Sequence, residues 1–286
     1  MNFTKSKLLH FFSIMIIVSM IGFTACQEAD TDTPAEDNEE AFETSKDAET
    51  AEIQFYDAYN TALDGLDGEL EGSRSGRVEA CATLTHNETT RTITVDFGTS
   101  CVGQDGRTRS GKVIINYRDR NLMTRDELTI TFQNYAVNNY GLTGTLHTNG
   151  IARNSSDQWQ YNLKLENGTV VFPDRTIQLT FDRVYTWTEG FGSLDYTDDV
   201  FTITGNSAGT TANGIAFTST ITNPLTKKSI CWTQQIIYPV SGILDIQFTR
   251  STGRAIPNVT LDYGNGICDK EATLTAGNQT RVITLP

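Results

Sequence analysis

The sequence predicts an all-β protein: an antiparallel meander or β-sandwich, one large or two small, preceded by a short N-terminal helix. From Arg77 onward, short segments rich in Thr, Val, Ile and aromatic residues alternate apolar and polar side chains. This period of two is typical of strands that bury one face. Gly, Asn, Asp and Ser separate the segments, and no long helical segment interrupts them, which favours antiparallel hairpins over βαβ units.

The strand segments follow one another through the predicted β domain, residues 73–286. The clearest are 91–97, 112–117, 127–135, 141–148, 158–165, 176–188, 200–204, 215–222, 243–248, 259–263 and 281–285. Hairpin turns are predicted where the residues tolerate positive φ. These sites are Asn149-Gly150, Asn167-Gly168, Asn213-Gly214 and Gly277-Asn278.

The first residues have the layout of a secretory signal peptide, predicted to cover residues 1–25. Lys5 and Lys7 precede an apolar run that ends in Phe23-Thr24-Ala25-Cys26. The run is shorter than the roughly 20 residues that a helix needs to span a membrane, so a retained transmembrane anchor is disfavoured. An ordinary signal peptide, with Cys26 incidental, is the alternative.

A cysteine directly after small residues resembles the lipobox of bacterial lipoproteins. In that family the cysteine is lipidated and becomes the first residue of the mature protein, so the resemblance implies a lipid on Cys26. Several acyl chains hold a soluble domain on a bilayer, because each buried methylene contributes about 0.8 kcal/mol. The resemblance therefore implies that the chain is attached to a membrane through Cys26.

The segment after Cys26 is strongly acidic. From residue 27 to residue 72, sixteen Asp and Glu residues stand against one lysine. The whole chain has a net charge of −13 and the signal peptide holds two lysines, so residues 73–286 are neutral by count. Gln27-Glu28-Ala29-Asp30 resembles the acidic export signal of Bacteroidota surface lipoproteins, which implies an outer-membrane protein exposed at the cell surface.

Two segments are predicted between the signal peptide and the β domain. Residues 26–38 hold the lipidated cysteine and a disordered acidic tether, which self-repulsion keeps extended. Residues 39–72 hold a helix and linker, because apolar residues recur at three- and four-residue steps, and Gly65 and Gly68 would end the helix. The recurring residues are Tyr56, Tyr59, Leu63 and Leu66. Three roles for the helix are open: docking on the β domain, spacing, or binding a partner.

Two copies of one pattern frame the four remaining cysteines. Thr94-Val95-Asp96-Phe97-Gly98 leads to Cys101, and Thr260-Leu261-Asp262-Tyr263-Gly264 leads to Cys268. Each copy follows another cysteine, Cys81 or Cys231. Four cysteines allow three pairings. Local pairing, Cys81–Cys101 and Cys231–Cys268, is favoured because each pair brackets one hairpin and the predicted compartment is oxidising.

Catalytic patterns are sparse, and the sequence leans towards a protein that is not an enzyme. Once the signal peptide is removed, the histidines are His86 and His147, and no Gly-x-Ser-x-Gly or zinc pattern accompanies them. Paired carboxylates for glycoside hydrolysis could come from a single loop. That loop contains Glu189, Asp195, Asp198 and Asp199.

No cofactor or metal is expected, with calcium as the one alternative considered. Asp262, Asn265 and Asp269 place oxygen atoms at close spacing around glycines, which is the chemistry that hard cations prefer. The full acidic repeat of a calcium loop is missing. A tight turn before a disulfide explains the same residues.

Aromatic pairs on two predicted strands are candidate ligand-binding residues. Trp159 and Tyr161 lie two residues apart, as do Tyr185 and Trp187, so each pair shares one face of its strand. Flat aromatic faces on a sheet can stack on sugar rings. Packing in the core is the more common use of paired aromatic residues on strands, and it is the competing interpretation.

The whole arrangement of lipobox, acidic tether and Thr/Asn/Gly-rich β domain resembles uncharacterised outer-membrane or surface lipoproteins of Bacteroidota. Some lipoproteins of this kind bind glycans for uptake, and others are adhesins or scaffolds. We therefore expect a surface-anchored, non-enzymatic binding module with an extracellular glycan as the favoured ligand. A structural or adhesive lipoprotein that contacts another envelope protein is the alternative, and a secreted glycoside hydrolase is third. Nucleic acid is not an expected partner.

Overall fold

A computed structural model describes residues 34–70, 79–118, 127–193, 195–250 and 255–286. The predicted signal peptide, Cys26 and residues 27–33 of the predicted tether lie outside these ranges. The described residues form one long α-helix and fifteen strands with antiparallel neighbours, which confirms the predicted antiparallel all-β class with an N-terminal helix. Within these ranges, no helix is both long enough and apolar enough to cross a membrane.

The helix, α1, runs from Pro34 to Leu70. The strands are β1 Thr83–Asn87, β2 Thr92–Asp96, β3 Cys101–Val102, β4 Thr108–Tyr117, β5 Leu128–Val137, β6 Tyr140–Thr148, β7 Ala152–Arg153, β8 Trp159–Val171, β9 Thr176–Glu189, β10 Val200–Thr211, β11 Ala216–Lys228, β12 Ser241–Thr249, β13 Val259–Asn265, β14 Glu271–Ala276 and β15 Gln279–Thr284. Two short 3₁₀ helices, Tyr196–Asp198 and Ser229–Gln234, precede β10 and follow β11.

All the described strands belong to one continuous sheet. Of the two predicted arrangements, one large unit or two small ones, the structure has the single large unit. The order is β1-β2-β4-β5-β6-β8-β9-β10-β11-β12-β13-β14-β15, with β3 paired to β4 and β7 to β8. Apart from the short β3 and β7, each strand thus pairs with the next along the chain, as short antiparallel connections allow. The sheet is a meander that is long enough to curl around another element.

That other element is α1. The helix contacts strands at both ends of the sheet and in its middle: β1, β2, β4, β5, β6, β9, β13, β14 and β15. Every residue from Ala48 to Tyr59 is buried, so the sheet covers this part of the helix on all sides. Of the three roles left open for the helix, docking on the β domain is the one that the structure shows.

The predicted bounds of the helix were wrong. It begins at Pro34, inside the segment predicted to be a disordered tether, and its 37 residues make it long rather than short. Gly65, predicted to help end it, lies within it. A Cβ atom there would lie 2.5 Å from a methyl carbon of Val95, so glycine permits the helix to approach β2 closely.

Arginines of the β domain hold α1 through its acidic residues. Arg183 donates from Nε and Nη2 to the carboxylate of Glu52 at 2.8 and 2.9 Å, and both side chains are buried. The other pairs are Arg109 with Asp57, Arg175 with Asp47, Arg250 with Asp37 and Glu40, and Arg281 with Glu39 and Glu43. Much of the acidity of α1 is therefore part of the fold.

One predicted hairpin turn was also wrong. Asn167-Gly168 lies within β8, where the pairing with β9 shifts register between Leu165 and Gly168. Asn167 has φ of 51°, and a Cβ on Gly168 would lie 2.6 Å from the carbonyl oxygen of Leu179. The two residues form a β-bulge, which needs the same conformational freedom as a turn.

The structure pairs Cys81 with Cys101 and Cys231 with Cys268, which is the local pairing that the sequence favours. The repeated Asp-aromatic-Gly motif makes the same turn twice. The carboxylate of Asp96 accepts the Gly98 N–H at 2.9 Å, and that of Asp262 accepts the Gly264 N–H at 2.8 Å. Both aromatic residues, Phe97 and Tyr263, are buried.

Candidate functional site

A cleft of about 330 Å³ lies between the carboxyl-terminal half of α1 and one end of the sheet. The helix contributes residues three to four positions apart, which share one face. The lining comprises Asp57, Asn60, Thr61, Leu63, Asp64 and Asp67 of α1, then Glu79, Val95, Phe97, Gln104, Asp105, Arg107 and Arg109, and finally Tyr196, Trp232, Thr233, Gln235 and Ile237. Polar amides, carboxylates and aromatic rings thus face one space.

A smaller recess of about 90 Å³ adjoins the cleft and shares two aromatic residues with it, Tyr196 and Trp232. Their rings are stacked, with centroids 6.2 Å apart and planes inclined by 25°, and Tyr196 is 44% exposed. The other lining residues of the recess are Tyr59, Thr148, Ile151, Tyr161, Trp187, Asp199 and Phe201. The stacked pair therefore borders both spaces.

Each disulfide holds one wall of the cleft. Cys81 ties the segment that holds Glu79 to Cys101 at the start of β3, and Glu79 also accepts the Gln104 N–H at 2.9 Å. Cys231 lies in the 3₁₀ helix Ser229–Gln234, directly before Trp232, and its bond to Cys268 fixes that helix beside β13. Short segments with few regular hydrogen bonds are thus held in place covalently.

An ion-pair network forms the floor of the cleft. Arg109 donates to Asp57 at 3.2 and 2.7 Å and to Asp105 at 3.1 and 2.7 Å, and Arg107 lies 3.2 Å from Asp105. Burial alone would raise the pKa of Asp105, but its hydrogen bonds and attraction to Arg109 outweigh burial and hold that pKa below its ordinary value. Carboxylates therefore engage both guanidinium groups, and the network fixes their orientation.

The four aromatic residues singled out from the sequence have different positions. Trp159 pairs with Trp187 and Tyr161 with Tyr185 across β8 and β9, and the two tyrosine rings stack 4.9 Å apart. Tyr161 and Trp187 line the recess. Tyr185 is only 2% exposed and belongs to the core, while Trp159 lies outside both spaces and stacks on Phe191. Ligand binding by Tyr161 and Trp187 stays a prediction.

Sequence reasoning missed five aromatic residues of the site. It assigned Tyr59 only to a helical pattern and Phe97 only to the repeated Asp-aromatic-Gly motif, and it did not single out Tyr196, Phe201 or Trp232. Tyr196 lies in the acidic loop that was considered only for its carboxylates. Trp232 lies outside any alternating segment. Its one available signal is its position directly after Cys231, because a residue beside a disulfide is held rigidly.

The histidines of the β domain make structural contacts. His86 Nε2 lies 2.7 Å from the hydroxyl of Tyr117, and His147 Nδ1 lies 3.3 Å from that of Thr129. Neither histidine lines the cleft or the recess. The structure therefore does not bring either of them to the candidate site.

Three of the four carboxylates considered for hydrolysis hold their own loop together or tie it to β9. Asp195 caps the 3₁₀ helix by accepting the Thr197 N–H at 2.9 Å, and hydrogen bonds from Thr197 lower its pKa. Asp198 lies 2.9 Å from the hydroxyl of Ser193. Asp199 accepts the indole N–H of Trp187 at 3.0 Å and lines the recess. Glu189 ends β9.

The residues considered for calcium each close a local turn. The side-chain oxygens of Asp262, Asn265 and Asp269 accept the N–H of the residue two positions later, at 2.8, 3.2 and 3.1 Å. In the part of the chain that the structure describes, no group of three or more His, Cys, Asp or Glu side chains is arranged to hold a metal ion. These contacts show that the three side chains stabilise turns.

Comparisons with protein-family models, with curated proteins and with solved structures find no match for this chain. A functional proposal must therefore come from the geometry of the cleft and recess together with the sequence.

Proposed function

We propose that the chain is a non-enzymatic binding lipoprotein, anchored through Cys26 to the outer membrane and exposed at the cell surface, whose cleft holds an extracellular glycan. The anchor and its location rest on the lipobox-like Phe23-Thr24-Ala25-Cys26 and on the acidic residues that follow. The binding role rests on the cleft.

The observation that carries the proposal is the combination of aromatic and amide side chains around a preformed space. Ligand pockets are concave, begin at about 300 Å³ and combine apolar surface with a few fixed polar groups. The cleft has about that volume, and Trp232 lines it together with the amides of Asn60 and Gln235. Aromatic faces that stack on a sugar ring, with amides that bond its hydroxyl groups, form a suitable site for one end of a glycan.

The proposal is tested by screening the mature chain and its Trp232→Ala variant on a glycan array. We expect binding to at least one glycan, with at least a tenfold loss in the variant. Tyr140→Ala is the matched control, because Tyr140 packs on Phe172 at the opposite end of β6 from Thr148, which lines the recess. Equal binding by all three proteins would place the glycan elsewhere, and no binding at all would remove glycans from the proposal.

The anchor is tested separately in cells. Cys26→Ser should release the protein into a soluble fraction, because the thiol that would carry the lipid is gone. Ala25→Ser serves as the control, since serine is also small and leaves the cysteine in place. A Cys26→Ser protein that still sediments with membranes would contradict the lipid anchor while leaving the binding proposal untouched.

A second candidate is an adhesive lipoprotein, and one observation favours it. Ile230 and Ile267 are 43% and 61% exposed and lie directly before the two cysteines of the same disulfide. Exposed apolar side chains on a rigid segment suit contact with another envelope protein. Ile230→Asp with Ile267→Asp should then abolish that contact, whereas Val282→Asp, at an equally exposed position of β15, should not.

A further inference from the structure

The recess has the composition of a site for an organic cation, a property that goes beyond glycan binding and does not depend on it. Aromatic side chains dominate its lining. They are Tyr59, Tyr161, Trp187, Tyr196, Phe201 and Trp232. The face of an aromatic ring carries negative potential, so several rings around one space attract a cation, most strongly where water is excluded.

A carboxylate completes this lining. Asp199 lies among the rings with one oxygen bound to the indole N–H of Trp187 at 3.0 Å, which fixes the position of its negative charge. A carboxylate in an otherwise aromatic wall favours a positively charged ligand, because it would repel an anion and would lose hydration against an apolar group.

The size of the recess limits the group that enters it. Its volume of about 90 Å³ is far below the 330 Å³ of the cleft. A compact ammonium carrying methyl groups is smaller than a pyranose with its hydroxyl groups and therefore suits the smaller space better. Methyl groups pack against the faces of aromatic rings, whereas an N–H group that faces a ring loses its hydrogen bonds to water.

We propose that the recess binds the quaternary or methylated ammonium head of a small ligand, whose remainder extends past Tyr196 and Trp232 into the cleft. The excess of negative charge in the cleft also favours a cationic ligand. Its described lining holds five carboxylates and two guanidinium groups. The five are Asp57, Asp64, Asp67, Glu79 and Asp105, and the two are Arg107 and Arg109.

Lys227 lies against one of the rings that line the recess. Its Nζ lies 5.4 Å from the ring centroid of Trp232, so this ring already attracts one positive charge. Lys227 is not part of the recess lining, and it is directly paired with Phe201 across β10 and β11. Its positive charge should weaken the binding of a second cation, so Lys227→Met should increase affinity for an ammonium ligand.

The test measures binding of choline chloride and of its neutral isostere, 3,3-dimethylbutan-1-ol, to the mature wild-type chain by calorimetry. The two probes have nearly the same shape and differ in charge. We expect choline to bind at least tenfold more tightly. Equal affinity for the two probes would overturn the proposal, because the recess would then recognise shape alone, and absence of choline binding would overturn it as well.

Variants then locate the binding. Asp199→Asn should weaken choline binding about tenfold and leave the isostere unchanged, while Lys227→Met should strengthen choline binding and Tyr140→Ala should change neither. Choline binding that Asp199→Asn leaves intact would place the cation outside the recess and contradict the proposal. The wild-type comparison of the two probes needs no variant to fold, and uncharged glycans on the array report on the cleft separately.

Discussion

The two halves of α1 have similar acidic composition but different surroundings. In the amino-terminal half, residues 36–56, Asp47 and Glu52 each bind one arginine of the sheet through two hydrogen bonds. In the carboxyl-terminal half, residues 57–69, Asp64 and Asp67 line an open cleft. Asp57 stands at the boundary, since it binds Arg109 and also faces the cleft.

This difference shows how one acidic segment can serve both folding and binding. Where the sheet closes around the helix, a carboxyl group must be paired with a cation or keep its proton, because an isolated buried charge is strongly destabilising. Where the sheet leaves the helix open, a carboxylate is partly exposed and can contribute to recognition. Substitutions in the first half should therefore change stability, and substitutions in the second should change affinity.

The largest expected effect is at the buried pair. Glu52→Ala should lower the free energy of unfolding by about 3–5 kcal/mol, because it leaves the guanidinium of Arg183 buried without its partner. Urea unfolding followed by circular dichroism measures this loss. The double variant Glu52→Met with Arg183→Met should lose less than Glu52→Ala alone, since it removes both charges. A double variant as unstable as the single one would show that packing rather than pairing decides stability here.

The next effect is at the disulfide between Cys231 and Cys268. Replacing both with serine should lower the free energy of unfolding by about 4 kcal/mol in the chain-entropy model, for the separation of 37 residues that the bond closes. Affinity at the cleft should fall as well, because Trp232 loses its covalent support. Unchanged affinity in the folded variant would show that the 3₁₀ helix keeps its place without the bond.

The third expected effect is on the pH dependence of stability, and its cause is Glu49. Burial, and then the negative charge of Glu52, raise the pKa of Glu49 from 4.5 to about 8. Between pH 4.5 and about 8, the folded state therefore holds a proton that the unfolded state has released. The contribution of Glu49 to the free energy of unfolding is full below pH 4.5 and declines as the pH rises to about 8. The slope is at most about 1.4 kcal/mol per pH unit. Glu49→Gln should flatten the profile, and parallel profiles for the two proteins would refute the assignment.

The smallest effect is expected at the outer end of the amino-terminal half. Arg281 binds Glu39 and Glu43 at partly exposed positions, and water and salt screen such pairs. Arg281→Ala should leave the melting temperature within experimental error. A loss comparable to that of Glu52→Ala would break the distinction between exposed and buried pairing along the helix.

The sequence contains enough information for the sheet but not for the role of the helix. Alternation predicted most of the longer strands because one face of each is buried. β1, β3, β7 and β14 are not among the clearest segments, and β3 and β7 have only two residues each, too few for alternation to show. Periodicity predicted a helix but left its role open, because it does not show what Glu49, Glu52 and Asp57 contact. Two of their partners, Arg109 and Arg183, lie 52 and 131 residues away in the chain, a pairing that local periodicity does not contain.

The site was predictable only where it lies on regular strands. Tyr161 and Trp187 were found because residues two apart on a strand share a face. That rule shows which side chains share a face of the sheet, but it does not show whether the face is buried. It therefore also selected Tyr185, which belongs to the core. Tyr196 and Trp232 lie in 3₁₀ helices, whose short length gives no periodic signal. The cysteine pattern drew attention to the 3₁₀ helix that holds Trp232, but it did not show that this helix lines the cleft.

The position of α1 has a mechanical consequence if Cys26 is anchored as proposed. Seven residues lie between Cys26 and Pro34, and the eight Cα–Cα steps from one to the other put the first turn of the helix at most about 27 Å from the bilayer. Tension on the tether would act first on a helix that the sheet encloses, rather than on an edge strand that could peel away. The arginine contacts along the helix would share that load. The helix α1, which completes the core, would thus also help the domain to resist unfolding by shear at the cell surface.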